Sequence, residues 1–270
     1  MPPREQQPLP SRLARYELKY LIPFEWIEPI SEFAAVYCSL DKYSLKSENG
    51  FYRVNNLYMD SPGYIFLKRR MENAPDRFNM RIRSYDDAPE QRYFLEIKRK
   101  THDVIRKYRS QVSDPGWLRS FQEPGCRACS DASDTVEIRN RELFERLVCT
   151  YDAAPKILSQ YLRKAWVSEV DDYARLTFDV DLRYMPESGY NLIPRESEMV
   201  SCDPETVFDP GCAVVLELKC SAPQVPLWMI DLIKYFNLHR TGFSKYMTGM
   251  REVFQLYRYD MPSQLSVLYN

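Results

Sequence analysis

Phe94-Leu95-Glu96-Ile97-Lys98-Arg99 is the stretch that decides the fold. Leu95 and Ile97 fall on one side of an extended chain, Glu96 and Lys98 on the other. Such alternation marks a strand with one apolar and one charged face. The pattern recurs along the chain. Val215-Leu216-Glu217-Leu218-Lys219 sets two leucines against Glu217 and Lys219. In residues 15–22, Arg15, Glu17 and Lys19 oppose Tyr16, Leu18 and Tyr20. In residues 77–85, Arg81 and Arg83 oppose Met80 and Ile82. Lys107 and Arg109 share a face in residues 104–112, Tyr161 and Arg163 in residues 157–167. Arg175, Thr177, Asp179 and Asp181 align in residues 175–184. With residues 51–59, these segments make about eight strands bounded by turn-forming residues.

Residues 24–40, 64–70, 140–148, 225–237 and 244–257 read as helices, with Pro29 disturbing the first turns of the first. Strands joined by turns or single helices predict a mainly β protein with flanking helices (α+β), as an antiparallel sheet or barrel. The amphipathic helices must bury their apolar stripes. If they cover the apolar face of a curved sheet, the charged face lies inside. For one strand alone a solvated charged face is the simpler reading, but these faces are dominated by Arg and Lys around single carboxylates. A barrel with a charged interior is held open by water, metal and a charged ligand, because unpaired buried charge is costly.

The candidate inward set names that ligand. It holds the bases Lys19, Arg81, Arg83, Lys98, Lys107, Arg109, Arg163, Arg175, Lys219 and Lys245, and the acids Glu17, Glu96, Asp179, Asp181 and Glu217. Ten bases against five acids leave a surplus of five positive charges, in a chain whose net charge is −1. Basicity is concentrated, not general. A chain of phosphates fits, since Arg forks onto phosphate oxygens, and the carboxylates can hold a hard cation, Mg²⁺ or Mn²⁺.

Composition excludes several other classes. With 37 Lys and Arg against 38 Asp and Glu, binding of nucleic acid through overall basicity is not expected. At 14% aromatic residues, the 270-residue chain can bury a full core. No apolar run approaches the roughly 20 residues that span a bilayer, and residues 1–10 lack a signal-peptide core, so a soluble cytoplasmic protein is expected. Cys126 and Cys129 form a lone C-x-x-C, and His102 and His239 are the only histidines, so a zinc site or a His-centred triad is not expected. His102 reads as a turn residue, and Trp26, Phe33 and Trp228 as core.

The ordered set of strands resembles the triphosphate tunnel metalloenzymes, and more closely the catalytic domain of the vacuolar transporter chaperone (VTC) family of polyphosphate polymerases. Its pieces are Arg15-Tyr-Glu-Leu-Lys-Tyr20, Asn56-Leu-Tyr-Met-Asp60, Arg81-Ile-Arg83, Phe94-Leu-Glu-Ile-Lys-Arg99 and Lys107-Tyr-Arg109. Tyr161-Leu-Arg163, Arg175-Leu-Thr-Phe-Asp179, Val215-Leu-Glu-Leu-Lys219 and Phe243-Ser-Lys-Tyr246 follow. Each piece alone is weak; the ordered set is specific. The resemblance implies a closed eight-stranded antiparallel barrel forming a tunnel with a basic lumen, a single domain over residues 13–258 between a disordered tail (1–12) and a C-terminal tail (259–270). It implies that Lys19, Arg81, Arg83, Lys98, Lys107, Arg163, Arg175, Lys219 and Lys245 bind triphosphate or the growing chain. Tyr161 and Ser244 match phosphate-contacting positions. Glu217 would carry the metal, with Glu17 and Glu96 as weaker candidates. Arg109 joins the phosphate-binding set from face geometry alone.

The implied reaction transfers the γ-phosphate of ATP onto polyphosphate, with Mn²⁺ or Mg²⁺ as cofactor and ATP, pyrophosphate and polyphosphate as partners. A tunnel hydrolase, with Glu17 or Glu96 as base, and a non-catalytic polyphosphate-binding subunit are the alternatives. The sequence shows no phosphate-sensing helical domain and no membrane segment, so translocation would need a separate membrane partner.

Overall fold

The computed structural model describes residues 15–85, 92–102, 104–112, 118, 121, 135–202, 213–221 and 225–257. The Cys126/Cys129 loop and the two expected tails lie outside these residues. Ten strands are present: β1 (Arg15–Ile22), β2 (Cys38–Leu40), β3 (Tyr52–Asp60), β4 (Asp76–Ser84) and β5 (Tyr93–Thr101), then β6 (Val104–Val112), β7 (Ala154–Ser168), β8 (Ala174–Pro186), β9 (Val200–Ser201) and β10 (Val214–Ser221). The α-helices are α1 (Ile27–Ala35), α2 (Ile65–Met71), α3 (Thr135–Tyr151), α4 (Leu227–Tyr235) and α5 (Lys245–Tyr257).

Hydrogen-bonded neighbours run β1-β10-β8-β7-β3-β4-β5-β6, with β2 beside β7 and β9 beside β8. The sheet is mainly antiparallel with flanking helices, as expected. It differs from the expected closed eight-stranded barrel in two respects. It has ten strands, and among the described residues β1 and β6 are the ends of an open path. The extra strands, β2 and β9, have three and two residues, too short for alternation to show in sequence. The helix expected over residues 24–40 stops at Ala35, and Cys38 of β2 instead pairs with Ser168. Pro29 does not disturb α1, because it sits in the first turn, where no backbone N–H is needed.

The chain divides into two compact units. The first comprises the described residues up to Tyr52, Leu162–Asp181 and residues 213–243; the second comprises Arg53–Tyr161, Leu182–Cys202 and residues 244–257. In the first, Leu216 and Leu218 of β10 and Leu176 and Phe178 of β8 are covered by Ile27, Ile30 and Ala34 of α1 and by Trp228, Met229 and Leu232 of α4. In the second, Met80, Ile82, Leu95 and Ile97 pack with Phe66 of α2 and with Phe144 and Val148 of α3. Helices therefore take the apolar strand face in each unit. Burial of each large side chain is worth roughly 1.5–3 kcal/mol, so the two cores fix which strand face remains for charge.

His102 lies at the β5–β6 turn with φ 53°, a turn residue as expected. Asp181 also has positive φ, 51°, so the alternation that carries Asp179 does not extend unbroken through it. Among the described residues no helix is long and apolar enough to cross a membrane.

Candidate active site

In the first unit, β10 lies between β1 and β8. Register places Lys19, Glu217 and Thr177 in one row, and Glu17, Lys219 and Arg175 in the next. Glu217 accepts Lys19 Nζ at 3.2 Å on Oε1 and Lys219 Nζ at 2.7 Å on Oε2. Arg163 Nη2 approaches the same Oε2 at 3.9 Å. The Arg163 guanidinium forks onto Asp179, Nε to Oδ1 at 2.6 Å and Nη2 to Oδ2 at 2.7 Å. Lys19 also donates to the Phe243 carbonyl at 3.0 Å. Glu217, Asp179, Arg163 and Thr177 are buried, whereas Arg175 is exposed. Burial works to neutralise Lys219, but the Glu217 and Glu17 carboxylates outweigh it and raise its pKa.

In the second unit, β5 lies between β4 and β6, and Glu96 pairs in register with Arg81 and Arg109. Four cations converge on this carboxylate. Arg81 reaches Oε2 with Nη2 at 2.7 Å and Nε at 2.9 Å. Lys107 Nζ reaches Oε1 at 2.6 Å, Arg109 Nε approaches Oε1 at 3.5 Å, and Arg83 Nε lies 3.8 Å from Oε2. Glu96 is only 2% exposed. Burial would raise its pKa; Arg83, Lys107, Arg81 and Arg109 instead hold it well below the usual carboxylate range. Solvent reaches 37% of the Lys107 side chain, yet its ammonium ends against Glu96. Burial of that ammonium, with Arg83, Arg81 and Arg109 adding to it against the pull of Glu96, brings Lys107 down to about 7. Burial also opposes ionisation of the Tyr85 phenol, but Arg83 and Arg109 bring it down to about 7.

These charges are not a solvated face. A solvated surface pair is worth about 0–1 kcal/mol and leaves its partners free to move. Here the central carboxylates are buried and each is ringed by cations, and an unmatched charge in such a place is strongly disfavoured.

A third group of expected residues gathers within the second unit. Lys245 Nζ lies 4.7 Å from the Tyr161 ring centroid. Gly249, one turn later on α5, allows that approach: a Cβ there would collide with Tyr184 and Ile157. The Ser244 hydroxyl accepts the Met247 backbone N–H at 3.4 Å at the start of α5. The Tyr246 hydroxyl donates to Asp60 Oδ2 at 2.7 Å, and Asp60 also accepts the backbone N–H groups of Phe66 and Leu67. Asp60 thus ties the starts of α2 and α5 to the end of β3. Tyr58 stacks on Tyr246 at 5.1 Å, and its hydroxyl accepts Arg81 Nη1 at 3.3 Å.

The VTC domain family matches residues 14–254. The chain belongs to the VTC-domain family. No curated protein matches it significantly in sequence. Among solved structures, the VTC-domain chain is similar to a candidate adenylate cyclase from Bacillus halodurans, with TM-score 0.47 and 12% identity over 87% of this chain and 96% of that one. A candidate adenylate cyclase from Vibrio parahaemolyticus gives TM-score 0.45 and 9% identity, over 87% and 97%. A candidate adenylyl cyclase from Hippeastrum with a dominant triphosphatase activity gives 0.40 and 13%, over 89% and 97%. With TM-scores below 0.5, these likenesses decide nothing about the chemistry of this chain.

Within the VTC-domain chain, the expected residues sort by unit. Lys19, Arg163, Lys219 and Glu217 meet in the first, with Glu17 acting on Lys219 and Arg175 beside it in register. Arg81, Arg83, Lys107, Arg109 and Glu96 meet in the second, where Lys98 pairs in register with Lys107. Asn56, Ser159 and Tyr58 join these clusters without having been expected to. Arg83 Nε donates to Asn56 Oδ1 at 2.8 Å, and Asn56 Nδ2 to Ser159 Oγ at 3.3 Å. The available signal was Asn55-Asn56 between Val54 and Leu57 in the middle of a strand: a buried amide implies a partner.

Proposed function

We propose that this chain is a polyphosphate polymerase. The terminal phosphate of a growing chain attacks the γ-phosphate of ATP inside a basic, metal-dependent tunnel; one P–O bond forms, the bond to ADP breaks, and ADP leaves. The observation that carries this reading is the Glu96 cluster, four cations converging on one buried carboxylate. Arg81, Lys107 and Arg109 alone bring three cationic groups to one carboxylate, and a ligand with several negative charges complements such a group. Membership of the VTC-domain family supports polyphosphate as that ligand.

Phosphoryl transfer relies on positioning and charge neutralisation more than on a protein nucleophile. Arg81, Arg83, Arg109 and Lys107 stand on paired strands, so their donors are oriented before substrate arrives. An attacking phosphate is already an anion and needs no base. Glu96, held well below the usual carboxylate range, is a poor proton acceptor, which weighs against a hydrolase using it as base.

Among the described residues no group of three or more His, Cys, Asp and Glu could hold a metal. A hard divalent cation that rides on phosphate needs only one or two protein carboxylates. Glu217 fits that lesser demand, with Glu17 on the neighbouring strand, once Lys19 and Lys219 turn from it to phosphate oxygens; Glu96, with four cations around it, fits less well. Mg²⁺ or Mn²⁺ held there would supply positive charge to phosphate oxygens.

The test is incubation of purified protein with ATP and Mn²⁺ or Mg²⁺, with and without pyrophosphate, and separation of products by length. A ladder of long phosphate chains with matching ADP is expected. Phosphate released from tripolyphosphate without chains would make the protein a hydrolase, and binding without turnover a non-catalytic subunit.

A further inference from the structure

Two aromatic side chains stand on the charged side of the second unit. Phe94 lies two residues before Glu96 on β5 and shares its face; Tyr85 lies two residues after Arg83, just past β4. Both are half-buried, and neither belongs to the hydrophobic core of the unit, which takes Tyr93, Leu95 and Ile97 from the other side of β5. Their rings meet edge to face at 5.5 Å. The Arg109 guanidinium carbon lies 3.7 Å from the Phe94 ring centroid, and Arg109 Nη2 donates to the Tyr85 hydroxyl at 3.2 Å. Arg83 and Gln111 flank Phe94 in register. In the opposite direction along β5 come Glu96, with Arg81 and Arg109 beside it, and then Lys98 beside Lys107. The face is graded, with aromatic rings and an amide beside Arg83 at one end and further cations beyond.

A flat ring joined to a run of phosphates matches this gradient. We propose that Phe94, with Tyr85 and the stacked Arg109 guanidinium, forms the subsite for the base of a nucleoside triphosphate, whose phosphates continue onto the cations around Glu96. This rests on the phosphate-transfer reading of that face. Bases stack on aromatic rings and guanidinium planes with little regard to their identity. The subsite therefore accepts nucleoside triphosphates as a class, and Gln111 supplies an amide donor and acceptor to the edge of the base. Inorganic tripolyphosphate has no ring and gains nothing there.

The experiment is calorimetric titration of the full chain with ATP and with inorganic tripolyphosphate, without added metal, for wild type, Phe94→Leu and Phe94→Trp. Phe94→Leu is expected to lose roughly ten-fold in ATP affinity while tripolyphosphate affinity stays within about two-fold. Phe94→Trp, which keeps a stacking ring, is expected to hold ATP as tightly as wild type. Equal losses for both ligands in Phe94→Leu would overturn the proposal, because Phe94 would then only steady Arg109. The same ATP affinity in the Leu and Trp variants would overturn it too. A wild-type protein that binds neither ligand removes the phosphate reading itself, and this subsite with it.

Discussion

Glu96 and Glu217 occupy equivalent places, each on a strand paired on both sides, yet they differ in company. Glu96 faces Arg81, Arg83, Lys107 and Arg109, four cationic side chains around one carboxylate. Glu217 faces Lys19, Lys219 and Arg163, but Asp179 takes Arg163 in a two-bond fork and Glu17 acts on Lys219. One cluster carries excess positive charge and the other is close to balance. The excess is suited to drawing in a polyanion. The balance is suited to keeping the Glu217 carboxylate in place, in keeping with the metal-holding role proposed for it.

The largest expected effect tests that difference directly. Glu96→Gln leaves four cations facing one another in a buried place, and a loss of about 3–5 kcal/mol in folding stability is expected by denaturant titration. Glu217→Gln keeps the Asp179–Arg163 fork, so the expected loss is about 1–3 kcal/mol. Tripolyphosphate should restore most of the stability of the first variant and little of the second. Equal losses and equal rescue would break the comparison.

A smaller effect appears on changing pH. Lys107 and Tyr85 both titrate at about 7 in the folded protein, below their ordinary values. From about pH 7 to 10 the unfolded chain therefore holds more protons, and these two groups make the stability of the ligand-free protein rise with pH. Phosphate binding has the opposite sign. It favours the charged ammonium and the neutral phenol, so binding above pH 7 takes up protons and affinity falls as pH rises. Solvent screening of Lys107 keeps its share below the ~ten-fold per unit that one proton allows. Tripolyphosphate titrations between about pH 6 and 9 should show the fall, and Lys107→Arg should flatten it, because guanidinium stays charged throughout. Lys219, with its pKa raised, keeps its charge over this range, so Lys219→Arg should leave the profile unchanged. A profile that responds to Lys219 and not to Lys107 would reverse the roles of the clusters.

Much of this was legible in the sequence for a simple physical reason. Alternation has period two, so Leu216 and Leu218 could not reach the core without turning Glu217 and Lys219 the other way. The strands with long alternation, β1, β5 and β6, lie within a residue or so of where periodicity placed them. β2 and β9 were not legible, because two or three residues carry no period and their existence depends on the partner strands. Pairing across the sheet was hidden for the same reason. Nothing local says that Glu96 meets Arg81 from one side and Arg109 from the other, or that Asp179 is the partner of Arg163. The supporting contacts of Asn56, Tyr58 and Asp60 are longer still in sequence span and appear only once the strands are ordered.

The smallest expected effect turns on a single hydroxyl. Thr177 is 4% exposed, stands opposite Glu217 in register, and among the described residues its Oγ1 has no hydrogen-bond partner. In a cluster otherwise close to balance, that is the group with something left to donate. A buried hydroxyl without a partner costs about 1–3 kcal/mol, and valine keeps the branched shape that suits a strand. Thr177→Val is therefore expected to raise the stability of the ligand-free protein by about 1 kcal/mol, measured by denaturant titration. If a phosphate oxygen is the missing acceptor, the extra stability conferred by tripolyphosphate falls in the same variant. A loss of ligand-free stability would mean that the hydroxyl already has its acceptor. The Glu217 cluster would then be complete without phosphate, and polyanion binding would rest on the Glu96 cluster alone.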